Sequence, residues 1–268
     1  MGASQVTMQT RDPLGDRMKG YEREARLALP RRTLAAIRID GRAFHSWTRG
    51  LRRPYDERLV EAMAATAKAL CEEISGAVMG YVQSDEISIL TQDFAAEGTQ
   101  PWFGGQVQKI SSVAASAATA YFNEAARGLG KRPAMFDARV FALPSRTEAA
   151  NYLLWRQRDC RRNAISMLAE HHFSAKRLQG VSTEGRIELL REAGVDPAAV
   201  DEGFRFGYVS ERVERFERVR YTDRRTGEER TTPEPVCRRA WELRIAPEFS
   251  ARPGSWLWER IPDPKAAG

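Results

Sequence analysis

The hydrophobic period along residues 33–143 switches in a fixed order, and that order leaves few folds open. Thr33–Ile39 is apolar and β-branched, as a buried strand requires. Pro54 and Asp56 open a helix whose apolar stripe is Leu59, Met63, Thr66, Leu70 and Ile74, and Gly76 ends it. Ala77–Val82 and Ile87–Thr91 read as strands joined by Gln83-Ser84-Asp85-Glu86, short enough for a hairpin. A loop over Gly98–Gly105 precedes a helix over Gln106–Phe122, whose small residues permit close packing on a sheet. Asp137–Leu143 is a further apolar strand, stopped by Pro144. The order β-α-β-β-α-β is the ferredoxin-like pattern, one antiparallel sheet with two helices on one face. Its first and third strands are central neighbours, so Asp40 at the end of the first meets Asp85 and Glu86 at the start of the third.

The flanks read differently. Residues 1–13 are polar and predict a frayed end, and Leu14–Leu29 predicts a charged helix before Pro30. Ser145-Arg146-Thr147-Glu148 fits a capping box that opens a helix to about His171. Thr183–Ala193 and Asp196–Glu202 predict two further helices. Phe206–Tyr221 and Thr231–Leu243 predict a long hairpin turning through Asp223–Glu229. The expected class is α+β: a palm-like catalytic domain over 1–144 and a helical and β-hairpin extension over 145–268, packed on it as one unit.

Composition excludes several functions. With 42 Lys and Arg against 36 Asp and Glu, the chain carries +6, and Arg crowds the last hundred residues, which favours a polyanionic partner. No apolar run is long enough to span a bilayer, and residues 1–16 lack a secretory pattern. Cys71, Cys160 and Cys237 are too few and too scattered for a disulfide framework or a Cys-based zinc site. A cytoplasmic location is the expectation.

Asp-Gly after a strand is usually only a turn, and adjacent acids in a hairpin usually face solvent. Brought together, Asp40, Asp85 and Glu86 make a repelling cluster that a divalent cation relieves. Two Mg²⁺ ions about 3.5–4 Å apart can clamp the attacking and leaving oxygens of a phosphoryl or nucleotidyl transfer. Arg53, before the first palm helix, and Lys109, in the second, are candidate partners of triphosphate oxygens.

Several motifs then resemble one family. Arg38-Ile39-Asp40-Gly41-Arg42-Ala43-Phe44-His45 resembles the R-[IL]-D-G-R-x-F-H signature of the tRNA-His guanylyltransferases. Tyr81-Val82-Gln83-Ser84-Asp85-Glu86 resembles their Y-G-Q-S-D-E motif, and Phe136-Asp137-Ala138-Arg139 resembles F-D-G-R. Tyr152–Cys160 resembles Y-L-x-W-R-Q-x-D-C, and Leu178-Gln179-Gly180 the L-Q-G segment after it. The resemblance implies a polymerase-like palm that extends tRNA in the 3′-to-5′ direction. ATP or GTP activates the 5′-phosphate, and the 3′-hydroxyl of an incoming NTP then attacks it. It implies Asp40, Gly41 and Asp85 as metal ligands, with Glu86 supporting. Arg42, Phe44, His45, Arg53, Ser84 and Lys109 are implied at nucleotides. Arg139, Arg156, Arg158, Arg161, Arg162, Asn163, Lys176, Arg177 and Arg186 are expected at the tRNA 5′ end and acceptor stem. A homotetramer is implied as well.

One departure separates branches of the family. Where eukaryotic members have H-I-N-N, this chain has Arg161-Arg162-Asn163-Ala164. That pattern resembles the guanylyltransferase-like proteins of bacteria, archaea and viruses, which implies template-dependent repair of tRNA 5′ ends. The alternatives are a guanylyltransferase adding a single G, a catalytically idle RNA-binding relative, and a nucleotide cyclase using NTP alone.

Overall fold

The computed structural model describes residues 12–250 and 255–267, so positions 1–11 of the polar N-terminal stretch lie outside the described residues. In chain order the elements are α1 (Pro13–Glu24), β1 (Leu34–Gly41), α2 (Phe44–Trp47), α3 (Glu57–Glu73), β2 (Ala77–Gln83), β3 (Glu86–Gln92), α4 (Val107–Ala125), β4 (Phe136–Leu143) and α5 (Arg146–His172). There follow α6 (Ala175–Leu178), α7 (Thr183–Glu192), α8 (Glu202–Phe206), β5 (Tyr208–Glu217), β6 (Arg220–Thr222), β7 (Glu229–Thr231), β8 (Val236–Ile245) and α9 (Ser255–Arg260).

β1–β4 with α3 and α4 form the expected β-α-β-β-α-β palm. The sheet does not stop there. Its order is β4-β1-β3-β2-β5-β8, so the extension adds two strands to the edge at β2. Ile37, Ile39, Ile87 and Ile89 pack with α3 and α4 on one face. Leu34, Ala36, Leu90 and Leu143 pack with Tyr152 and Leu153 of α5 and with Phe249 and Leu257 on the other. The palm helices therefore share one face, as expected, and α5 covers part of the opposite one.

Local chemistry explains the boundaries. Asp56 caps α3 by accepting from the Arg58 amide at 3.1 Å, and Ser145 caps α5 by accepting from the Glu148 amide at 3.2 Å. Gln157 is 2% exposed and joins α5 to the added strands. Its Nε2 donates to the carbonyls of Phe206 (3.1 Å) and Pro247 (2.8 Å), and its Oε1 accepts from the Phe249 amide (2.7 Å). Tyr81 of β2 donates its hydroxyl to the Phe206 carbonyl at 2.8 Å. Two expectations shift. The first helix ends at Glu24 rather than Leu29, because Leu27 and Leu29 pair with Val107 and Gly105. The short helix expected over Asp196–Glu202 is α8, because Asp201 is its cap and accepts from the Phe204 amide at 3.0 Å.

Candidate active site

β1 and β3 bring the acids together by register. Asp40 stands opposite Glu86 on one side and opposite Asp137 of β4 on the other. Asp85 occupies the β2–β3 turn beside Ser84, which adopts φ +50°, and its carbonyl accepts from the Gly41 amide at 3.0 Å. That bond ties the end of β1 to the turn. Gly41 is sterically required, because a Cβ there would lie 2.2 Å from the Phe44 ring. Ala43 takes a left-handed conformation (φ +55°) as the cap of α2. Two non-glycine residues in that sparsely populated region flank the acids, as strained backbone often does at functional sites.

The electrostatics follow from burial. Desolvation pushes the Asp85 carboxyl up to about 6, and the neighbouring Asp40 charge adds to the rise. Asp40 is raised by burial and then by Asp137, against Arg38, Arg139 and Arg156. Burial also raises Glu86, opposed mainly by Arg156, whose Nε donates to Glu86 Oε1 at 2.7 Å. Arg156 also bonds Asp159, which in turn bonds Arg162. Glu86 is thus occupied by a cation, while Asp40 and Asp85 are left to repel each other.

Two converging carboxylates with raised proton affinity are a donor set suited to Mg²⁺, which is typically held by one or two carboxylates plus substrate phosphates. Among the described residues no three His, Cys, Asp or Glu side chains form a ready ion cage.

A cavity of about 330 Å³ opens beside Asp85. His45, Arg53, Ser84 and Asn163 line it, as do Tyr55 and Phe204, whose rings stack with centroids 4.6 Å apart. The space suits a nucleoside. On the other side of the acids, the face shared with Asp40 carries Arg38 opposite Arg139, and Trp155 is 47% exposed with the guanidiniums of Arg38 and Arg156 against its ring.

Some sequence expectations require correction. Lys109 is not with the acids. It lies in the first turn of α4, whose Val107 amide donates to the Leu27 carbonyl, whereas Thr119 and Asn123 near the other end of the helix meet Phe136 and Ala134 at the acid end of the sheet. The length of β1, about 20 Å, separates Lys109 from Asp40, and its ammonium rests over Phe103. Arg156 is 5% exposed and held by two carboxylates, so RNA phosphates do not reach it. Phe44 is 4% exposed in a cluster with Trp47, Phe122 and Phe136, so it forms cavity wall rather than a stacking platform. Asn163 lines the cavity and is also exposed. Arg161 and Arg162 are half-exposed and pair with Glu248 and Asp159. Arg186 pairs with Glu170 across 3.7 Å, whereas Lys176 and Arg177 have no carboxylate partner among the described residues. Arg42 and Arg158 are exposed. Sequence reasoning missed Asp137, Tyr55, Trp155 and Phe204. Asp137 sits in a motif already singled out, but its facing of Asp40 depends on strand register.

Comparison with known proteins agrees with this fold. The model of the family described as tRNAHis guanylyltransferase matches residues 15–144. A solved bacterial tRNA(His) guanylyltransferase (Thg1)-like protein in complex with ATP superposes with a TM-score of 0.78 at 35% identity, covering 92% of this chain and 99% of that one. A GTP complex of such a protein gives 0.68 at 34%, covering 90% and 95%. An uncharacterised protein of Acanthamoeba polyphaga mimivirus is 30% identical over 70% of this chain and 73% of its own length. The probable tRNA(His) guanylyltransferase of Mus musculus is 33% identical over 48% of this chain, and the chain spans 44% of that relative's length. With its palm, its paired acids and a match over nearly the whole of a solved relative, this chain belongs to the tRNA(His) guanylyltransferase-like family of nucleotidyltransferases.

Proposed function

We propose that this protein is a template-dependent 3′-to-5′ nucleotidyltransferase that adds nucleotides to the 5′ end of tRNA. The observation that carries the reading is the meeting of Asp40 with Asp85, which lines the nucleoside-sized cavity. The 5′-monophosphate of the RNA first attacks the α-phosphate of ATP or GTP, and pyrophosphate leaves. The 3′-hydroxyl of an incoming NTP then attacks the activated 5′-phosphate, and the mononucleotide leaves.

Asp40, Asp85 and the Gly41 carbonyl would hold two Mg²⁺ ions, which when bound supply Lewis-acid stabilisation of the transferring phosphoryl group. The chain's own residues do the remaining work. The Tyr55–Phe204 wall and His45 orient the nucleoside, and Asn163 supplies polar contacts to it. Ser84 and Arg53 face its phosphates at the cavity lip. Arg139, with Arg38 opposite it, offers positive charge to the RNA 5′-phosphate from the other side of Asp40. Residues 1–144 carry the chemistry. Residues 145–268 lend Asn163 and Phe204 to the nucleoside cavity and otherwise serve tRNA binding and assembly into a homotetramer, with Arg158, Arg161, Arg162, Lys176, Arg177 and Arg186 toward the acceptor stem. The site of action is the cytoplasm.

Template use follows from geometry. A mispaired nucleotide holds its 3′-hydroxyl out of line, and a displacement of about 1 Å can cost roughly a hundredfold in rate. The test uses four tRNAs lacking the first 5′ nucleotide and differing only in the base opposite the gap, each offered the four NTPs separately with Mg²⁺. Incorporation of the complement at each template is the expected result. Incorporation of G at every template would mark a single-G guanylyltransferase, and a cyclised nucleotide would mark a cyclase. Absence of any reaction would leave an idle RNA binder.

A further inference from the structure

Behind the nucleoside cavity lies a second one, of about 150 Å³, between α5, α7 and the turn before α8. The two share Ala164 and Phe204 as a common wall. The second cavity has an apolar floor that includes Ile165, Leu168 and Ile187, and three guanidiniums at its rim: Arg161, Arg191 and Arg205.

These cations are arranged rather than scattered. Arg161 and Arg205 both lie against the Phe206 ring, at 5.6 and 4.9 Å from its centroid. The Arg205 Nε donates to the Val200 carbonyl at 2.9 Å, which fixes its direction. Arg191 comes from the opposite wall and, unlike Arg161, which pairs with Glu248, and Arg205, which pairs with Glu202, has no carboxylate partner among the described residues. The one acid in the lining, Asp196, is turned to its own loop and accepts from the Ala198 amide at 2.9 Å. A rim with one unpaired guanidinium, Arg191, and two more whose carboxylate partners Glu248 and Glu202 lie outside the lining, above an apolar floor, fits a group with one anionic end and one flat, weakly polar body.

We propose that this cavity binds one nucleotide unit of the RNA substrate, its phosphate on Arg161, Arg191 and Arg205 and its base or ribose on the floor. The inference rests on the reading of the chain as an enzyme acting on RNA. A strand entering here passes Phe204 and continues beside the nucleoside cavity, so the two cavities hold consecutive parts of one reacting complex. Planar guanidiniums suit phosphate oxygens by bidentate geometry. The space is too small for a whole nucleoside triphosphate in addition to its metal.

The test measures binding of a 3′-fluorescein-labelled, 5′-phosphorylated acceptor-stem RNA hairpin by anisotropy across a salt series, and of GTP separately. Two variants are used: Arg191→Ala, which removes the unpaired cation, and Ala198→Leu, which fills the cavity without changing charge. The expected result for Arg191→Ala is about a three- to tenfold weaker RNA affinity and a salt slope smaller by about one, with GTP affinity unchanged. Ala198→Leu is expected to weaken RNA binding with the slope retained. Wild-type RNA affinity in both variants overturns the site. Equal loss of GTP and RNA binding also overturns it, because the cavity then only supports its neighbour. Failure of the unmodified protein to bind the hairpin would overturn the RNA-directed function together with this site.

Discussion

The inner and outer halves of the sheet handle charge in opposite ways. At the inner end, Glu86 and Arg156 are both under a tenth exposed, and the pair is embedded beneath Asp40 and Asp85. In the outer hairpin, Arg239 and Glu214 sit opposite each other on β8 and β5 with more than half of each side chain in water. Inner charges are few, desolvated and directional. Outer charges alternate along both strands and are screened by solvent. Buried charge at the inner end fixes geometry through short, directional bonds, whereas the charge of the outer strand pair stays solvated.

The contrast is broken most severely at the acids. Asp40→Ala and Asp85→Ala should each lower nucleotide addition by about a thousandfold or more, with the circular dichroism spectrum and melting cooperativity retained. Near-normal turnover in either would remove it from the reaction.

Next in size is Arg156→Ala. It strands Glu86 and Asp159 without their cation and should cost about 3 kcal/mol of stability, measured by urea unfolding. Pairing it with Glu86→Leu should recover much of that loss, because the buried charge goes too. A single variant as stable as the wild type would mean that water reaches Glu86.

Asp85→Asn sharpens the comparison through pH. The folded-state pKa of Asp85 is raised to about 6 from an ordinary 3.8, so the folded protein holds the proton more tightly than the unfolded chain. In the metal-free protein this carboxyl therefore costs nothing below about pH 4 and destabilises increasingly as pH rises through 6. Replacement by Asn should match wild type near pH 4 and gain about 1–3 kcal/mol near pH 7 in EDTA. A constant difference across that range would remove the desolvated acid from the account. The smallest effect belongs to the outer half: Arg239→Ala should shift stability by less than about 0.5 kcal/mol.

Much of this is legible in the sequence. The period switches over residues 33–143 gave the palm, and the strand order gave the meeting of Asp40 with Asp85. Lys109 is the instructive error. β3 leaves the acid end, so the helix after it must begin at the far end and return toward β4. The topology itself sets its first turn apart from Asp40. Asp137 was hidden for a different reason: its register against Asp40 depends on the loop between α4 and β4. The role of Gln157 was also out of reach, because its partners Phe206, Pro247 and Phe249 are 49 to 92 residues away.

The strand that completes the sheet beside β2 arrives late. β2 ends at Gln83, and its outer neighbour β5 begins only at Tyr208. At ribosomal rates of about 5–20 residues per second, the intervening chain takes roughly 6 to 25 seconds to emerge. During that interval an apolar strand with unpaired backbone groups waits at the border of an otherwise foldable unit, the type of edge on which nascent chains stick to one another. Release of the polypeptide anywhere between α5 and β5 would leave the chemistry-bearing residues synthesised and the border open. Fragments ending near residue 180 should therefore be recovered in aggregates, whereas those carrying β5 through α9 remain dispersed.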